Sequence, residues 1–345
     1  MARLFTLHSR GLAATYADLE NQASAQKEAF LRTPGSILER SNAGGFKYYA
    51  LQQYGHERIR KETYLAGPVG SPAADKIAQD MQTRIREQVD VVASVRLLVR
   101  EGYAALPPKA YSVIAALGNA GVFNEGGALV GTHAFEVILN RLGIRASAFP
   151  TTDLDVARSG RISLNAGLEG GLLDILRSSG VEFEPVPGLD PRDPTIKFRE
   201  RGRSNFTVDL LVPSPSMEYS TKYVPELKAH AVALPYFRYL ISETQPGAAI
   251  SRNGCVAVRV PLAEKFALHK LLVAQMRVGR GEKSRKDMQQ AAILIAALGD
   301  LHPGATEEAF AKTPVSARSR IRKSLAEVRP LLSEYPAALE EIDGL

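Results

Sequence analysis

Two apolar runs of this chain are interrupted by aspartate. TTDLDVA, at residues 151–157, carries Asp153 and Asp155, and FTVDLLV, at 206–212, carries Asp209. Both read as strands, and side chains two apart on a strand share one face, about 7 Å from each other. Asp153 and Asp155 therefore form a pair that a carboxylate on a neighbouring strand can complete. Aspartate opposes strand formation, so Asp209, flanked by Val208, Leu210 and Leu211, needs a compensating reason. Three carboxylates gathered this way form an oxygen-only site for a hard divalent cation. Magnesium takes such ligands at about 2.1 Å and completes its octahedron with water or substrate phosphates, which points to phosphoryl chemistry rather than zinc or haem. The competing reading leaves all three at strand ends or edges, facing solvent.

The flanking segments set the fold class. A strand at 128–130 (ALV), a helix at 132–142, the strand at 151–157 and a helix at 167–179 come first. Strands at 181–184, 195–200 and 206–212, strand-like pieces at 223–240 and a strand at 255–260 follow. The mixture predicts an α+β sheet with helices packed on one side. Upstream, 14–31 reads as a helix ended by Thr33, Pro34 and Gly35, and 36–65 as a small antiparallel sheet of aromatic and β-branched segments between glycines. Its tyrosines either stack on bases or line a hairpin against the next unit. A long helix over 74–102 carries the stripe Ile77, Met81, Ile85, Val89, Val92, Val95 and Leu98, expected to face the core, and 108–119 is a further helix. Beyond Pro261 the pattern is helical, at 262–277, 284–298, 304–312, 315–328 and 334–342. For 345 residues this gives an N-terminal region over 1–125, a central unit over 126–260 and a helical unit over 261–345.

Several classes are disfavoured. No stretch approaches the roughly 18 apolar residues of a membrane span, and the start lacks the apolar core of a secretory signal. Cys255 is the sole cysteine, which excludes an intrachain disulfide and fits a reducing cytoplasm. His8, His56, His230 and His302 lack ligand spacing, and no P-loop, Rossmann or GxSxG motif occurs. The charge of +6 is concentrated in RVGRGEKSRK at 277–286 and in Lys312, Arg318, Arg320, Arg322 and Lys323. These runs either attract a polyanion or form solvated helix faces.

Gly131 and Thr132 follow ALV and open a helix. Glycine allows a phosphate chain close to the backbone, while the threonine hydroxyl and the unpaired amides of a helix start can donate to its oxygens. N-capping accounts for Thr132 equally well. His133 beside them is either a phosphate contact or a structural histidine.

Together, GT at 131–132, DLD at 153–155 and the later strand aspartate resemble the polymerase-β-like nucleotidyltransferase superfamily. More closely, SNAGGFKYYALQQYG, GTHAFEVILNRLG, TTDLDVA, PLAEKFALHKLLVAQMR and SRKDMQQAAILI are similar to a bacterial family of nucleotidyltransferase-fold proteins, over roughly residues 36–300. Threonine replaces the more usual serine, and the interval from GT to DLD is longer than in the minimal pattern.

The resemblance implies a polymerase-β-like core that moves a nucleoside monophosphate from a nucleoside triphosphate, ATP among the candidates, to an acceptor hydroxyl with release of pyrophosphate. Asp153 and Asp155 would bridge two magnesium ions, and Asp209 would complete the second ion's shell and assist proton removal. Gly131 and Thr132 would cradle phosphates. Lys265, of the KF pair, would contact the β- or γ-phosphate. Alternatively Lys265 is a surface lysine paired with Glu264 or another carboxylate, and His269 on the same face is either a site residue or a packed imidazole. Lys286 and Asp287 match a block of the family without an assigned role, Asp287 orienting Lys265 or Arg285 in one reading and forming a salt bridge at the helix cap in another. RNA, tRNA included, is one candidate acceptor, and a protein or small molecule another. A rival reading is a catalytically silent protein of transferase fold that binds nucleic acid or a partner, motivated by the basic runs and the aromatic sheet.

Overall fold

Apolar alternation and helix caps decide where the chain's elements form, in a computed structural model that describes residues 3–55, 59–165, 170–188, 193–277 and 281–345. His56, residues 167–169 of the expected helix and 278–280 of the first basic run lie outside the described residues.

The chain opens with β1 (Phe5–Leu7) and α1 (Arg10–Ala25), followed by β2 (Ser36–Ser41), β3 (Lys47–Tyr54) and β4 (Arg60–Ala66). α2 (Pro72–Arg100) starts where the Ser71 hydroxyl accepts from the Ala74 amide and Pro72 occupies the first turn. Next come α3 (Pro108–Asn119), β5 (Gly127–Val130), α4 (Gly131–Arg141), β6 (Ile144–Ala146), β7 (Asp153–Arg158), α5 (Leu172–Ser178), β8 (Phe183–Pro185), β9 (Lys197–Glu200) and β10 (Thr207–Pro213). β11 (Ser220–Val224), β12 (Ala229–Leu234), α6 (Phe237–Ile241), β13 (Thr244–Ser251) and β14 (Gly254–Pro261) complete the strands. α7 (Ala263–Met276), α8 (Glu282–Leu301), α9 (Ala305–Ala311), α10 (Val315–Val328) and α11 (Pro336–Asp343) make the helical C-terminal region.

The central sheet runs β11-β12-β10-β7-β5, with β9 also on β10 and β8 on β9. β7 and β10 are parallel, with Asp155 opposite Asp209 and Asp153 opposite Thr207. β5 is antiparallel to β7, and Val130 faces Asp155. One edge of β10 is divided: β9 pairs antiparallel at Thr207–Asp209 and β12 parallel at Leu211–Pro213. Leu154, Val156, Val208, Leu210 and Val212 are buried on one face, so the aspartates point to the other. Each such side chain contributes about 1.5–3 kcal/mol by leaving water, and a one-residue slip would bury carboxylates in their place. One continuous apolar cluster reaches from Phe5 through the sheet to Ile342.

The architecture is the expected α+β one, with local corrections. β1 pairs with β6, a three-residue pairing too short to leave a sequence pattern. α1 starts at Arg10 and ends at Ala25, where Gln26 turns extended and bonds the Cys255 carbonyl at 2.8 Å. Helix α6 interrupts the strand-like stretch at 223–240. On α2, Ile77 and Val89 are 46% and 52% exposed, contrary to the expected stripe. Near its middle the helix passes from one partner to another: Met81 and Ile85 pack with Phe30, Ile37 and Leu51, whereas Val91, Val95 and Leu98 pack with Tyr16 and Leu19 of α1. Among the described residues no helix is long and apolar enough to cross a membrane.

Candidate active site

Strand parity brings the three aspartates to one face of the sheet. Adjoining strands lie about 4.8 Å apart, so the in-register pair Asp155 and Asp209 are immediate neighbours. Thr207 donates its hydroxyl to Asp153 Oδ1 at 2.9 Å and fixes that carboxylate. Burial, then the charge of Asp209, lifts the Asp155 pKa to about 6, against opposing attraction from Lys270. Burial also raises Asp209, opposed by Lys197, whose ammonium lies 3.1 Å from Asp209 Oδ2. The other oxygen, Oδ1 of Asp209, is buried without a hydrogen-bond partner.

Gly131 closes the site from the side of β5. Its φ is +70°, and a Cβ there would stand 2.2 Å from Asp155 Oδ2. Only glycine meets both demands, and the start of α4 thereby touches the carboxylate. Thr132 and His133 follow as buried residues, His133 Nδ1 lying 3.0 Å from Glu136.

The positive charge comes from α7, from the basic run at 277–286 that leads into α8, and from β9. Lys270 on α7 donates to Asp287 Oδ1 at 2.7 Å, and Arg277 donates to Asp287 Oδ2 at 2.8 Å. Asp287 thus pairs with these two and with neither Lys265 nor Arg285, which is the salt-bridge reading of the two that the sequence left open. Lys283 stands 4.0 Å from Asp153 Oδ2, and Lys286 donates to the Pro150 carbonyl at 3.0 Å. Burial, then the charge of Lys270, lowers the Lys286 pKa. Beside Asp153 these residues line a cleft of about 660 Å³ with Arg285, Phe149 and Gln289. A larger cavity of about 810 Å³, between the end of α1, α3 and β14, has no acidic cluster in its lining and stands apart from this chemistry.

Lys265 and His269 are placed differently. Lys265 is buried, donating to Ser242 at 2.8 Å and pairing with Glu243, under the ring of Tyr239. It borders a second cleft with Ser214, which lies about 16 Å along the chain of β10 from Asp209. His269 packs edge-on to Phe237, and burial drives its pKa down to about 3, so its ring is neutral. The structure gathers Asp153, Asp155, Asp209, Gly131 and Thr132, and leaves Lys265 outside that group. Lys197 was the hardest cation to foresee, since only the pairing of β9 with β10 sets it opposite Asp209.

The donor chemistry fits a hard cation: oxygen ligands only, two carboxylates raised by burial, and one buried oxygen without a partner. Among the described residues no three Asp, Glu, His or Cys side chains stand as a ready ligand set. Asp155 Oδ2 rests against Gly131, and Asp209 Oδ2 pairs with Lys197.

Over residues 109–314 the chain matches a family model described as Nucleotidyltransferase. No curated protein and no solved structure matches it. The matched span begins at α3, ends before α10 and contains each carboxylate and cation described above. Its α+β architecture, mixed sheet and helical C-terminal region are those of a nucleotidyltransferase fold. The chain belongs to this nucleotidyltransferase family.

Proposed function

We propose that the protein transfers a nucleoside monophosphate from a nucleoside triphosphate to an acceptor hydroxyl, with magnesium, releasing pyrophosphate. The observation that carries this reading is the register that sets Asp155 beside Asp209 while the glycine opening α4 touches Asp155. Asp153, Asp155 and Asp209 would hold two magnesium ions, which when bound offset triphosphate charge and align the reacting oxygens. Around them Gly131 lets phosphate approach the backbone, and Thr132 with the free amides of α4 donates to its oxygens. Lys283, Arg285 and Lys286 line the adjoining cleft and favour a polyanion there. Asp209, its pKa raised by burial, is suited to take the acceptor proton. The same reading takes the chain as a polymerase-β-like enzyme of three units, 1–125, 126–260 and 261–345, acting on an RNA acceptor.

A silent, binding-only role draws support from one contact, the ion pair that Lys197 makes with Asp209. Transfer of labelled nucleoside triphosphates to RNA, protein and small hydroxyl acceptors separates the two. Transfer that stops with EDTA and falls by several orders of magnitude in Asp153→Asn and Asp155→Asn is the expected result. Equal turnover in the variants removes the carboxylates from the chemistry, and magnesium with nucleotide binding but no turnover on any acceptor favours the silent role.

A further inference from the structure

The three-stranded sheet β2-β3-β4 lies before the matched family span and displays aromatic rings to solvent. Its inner face is accounted for: Ile37 and Leu51 pack with Phe30, Met81 and Ile85. Alternation sends Tyr48, Gln52 and Tyr54 of β3 to the outer face, and pairing places Tyr64 of β4 opposite Ala50 on that same face. Phe46 and Tyr48 stack at 6.4 Å between centroids, and Tyr48 and Tyr64 stand at 5.6 Å. Gly67 lies beneath them, where a Cβ would meet the Tyr48 Cβ at 3.0 Å and the Phe46 ring at 3.1 Å, so the Phe46 ring rests against backbone. Phe46 is 42%, Tyr54 44% and Tyr64 62% exposed, with Tyr48 half-buried between its neighbours. Sequence alone left the tyrosines of this sheet either stacking on bases or lining a hairpin against the next unit; Tyr49, whose hydroxyl donates to Asp75 of α2 at 2.9 Å, takes the second place, while Tyr54 and Tyr64 face solvent.

We infer that this face binds single-stranded RNA by stacking bases on Phe46, Tyr48 and Tyr64. Contiguous exposed rings mark an interaction site, and every base offers a π-face to them. The sheet as a whole carries net positive charge, which suits a polyanion: described residues 36–66 hold Arg40, Lys47, Arg60 and Lys61 against Glu39 and Glu62. On the ring face Arg40 is held across the sheet by two hydrogen bonds of 3.0 Å to Glu62, which Arg60 approaches at 3.7 Å, while Lys47 and Lys61 are exposed on the alternate side of their strands. Addition of a partner strand is disfavoured by the run Arg60, Lys61 and Glu62 on edge strand β4. Gln52 and the Tyr54 hydroxyl, 3.4 Å apart on the ring face, offer the donor and acceptor that a ribose 2′-hydroxyl requires. The inference rests on the transferase reading for its purpose, since it supplies that enzyme with its acceptor.

Fluorescence anisotropy of the full chain with a short, unstructured, fluorescein-labelled RNA tests it without turnover. Wild type is expected to bind, more weakly as salt rises. Tyr48→Ala and Tyr64→Ala each raise Kd about tenfold, while Tyr64→Phe stays within about twofold because the ring remains. Tyr64 is exposed enough that its variants carry the test should Tyr48→Ala unfold the sheet. Absence of RNA binding, equal binding of DNA of the same sequence, or unchanged affinity in the alanine variants overturns the inference. So does a change in the chain's mass in solution on Tyr64→Ala, which assigns the face to a second copy. Titration of wild type with magnesium and nucleoside triphosphate is the separate arm: binding there with no RNA binding removes this inference alone, and failure there removes the transferase reading.

Discussion

Asp155→Asn isolates what the site costs the fold. Burial, and next the charge of Asp209, lifts Asp155 to about 6. The unfolded carboxyl titrates at about 3.9, so folding tightens its hold on the proton. The resulting stabilisation is complete below about pH 4 and is lost as pH rises through about 6. Two pKa units correspond to about 3 kcal/mol at pH 8, shrinking to about 1 kcal/mol at pH 4.5. Asparagine occupies nearly the same volume without charge, and its neutrality also relieves Asp209. In EDTA, Asp155→Asn is therefore expected to exceed wild type by about 3 kcal/mol at pH 8, on the order of 4 °C in Tm for a chain of this length. Scanning calorimetry at pH 8 and pH 4.5 reads the difference. Magnesium should reverse the order at pH 8, because wild type gains a ligand that the variant binds poorly. A variant no more stable than wild type at pH 8 in EDTA, or a gain that ignores pH, would refute the reasoning.

Gly131→Ala incurs about 1–2 kcal/mol of left-handed backbone strain and drives its Cβ into Asp155 Oδ2. Nucleotide transfer should fall about 100-fold or more from the displaced carboxylate, with a drop of only a few degrees by calorimetry; full activity would contradict the proposed contact. Asp287→Asn leaves Lys270 and Arg277 facing a neutral amide in a buried setting. It should lower stability by about 3 kcal/mol, read as denaturant midpoint at constant slope. Lys265→Met exchanges a buried lysine for a side chain of similar length and frees Glu243, whose side chain is 54% exposed. The KM for nucleotide should stay within about threefold, whereas a tenfold rise would give Lys265 the phosphate contact that the spacing suggested.

The carboxylates were legible because strand parity is local. Asp153 and Asp155 share a face through the two-residue period alone, and Val208, Leu210 and Leu211 mark the strand that carries Asp209. Helices of the C-terminal region were readable for a similar reason, their apolar positions repeating over many turns. The exposed residues of α2 were misplaced because its stripe assumed one partner, while the helix meets the β2-β3-β4 sheet at one end and α1 at the other.

The cations illustrate the opposite case, and they bear on how the site works. Lys197 faces Asp209 only because β9 folds back on the first half of β10, and no pattern in KFRE signals that pairing. Lys270 and Asp287 meet because α7 and α8 pack together, 17 residues apart in sequence. Lys265 shares α7 with Lys270 but stands five positions earlier, which on a helix is about 7.5 Å of rise and a different direction. Helical spacing grouped Lys265 with His269 and gave no sign that Lys270 is the residue of α7 that approaches the carboxylates. The packing chooses Lys270, whose attraction already opposes the rise of Asp155. The negative charge of the carboxylates is therefore offset by lysines from three separate elements, Lys197 of β9, Lys270 of α7 and Lys283 of α8. Loss of Lys197 should raise the Asp209 pKa further and free its Oδ2, so Lys197→Ala is expected to bind magnesium more tightly at pH 8 by titration calorimetry. Weaker binding in that variant would mean that Lys197 positions Asp209 for the metal instead of competing with it.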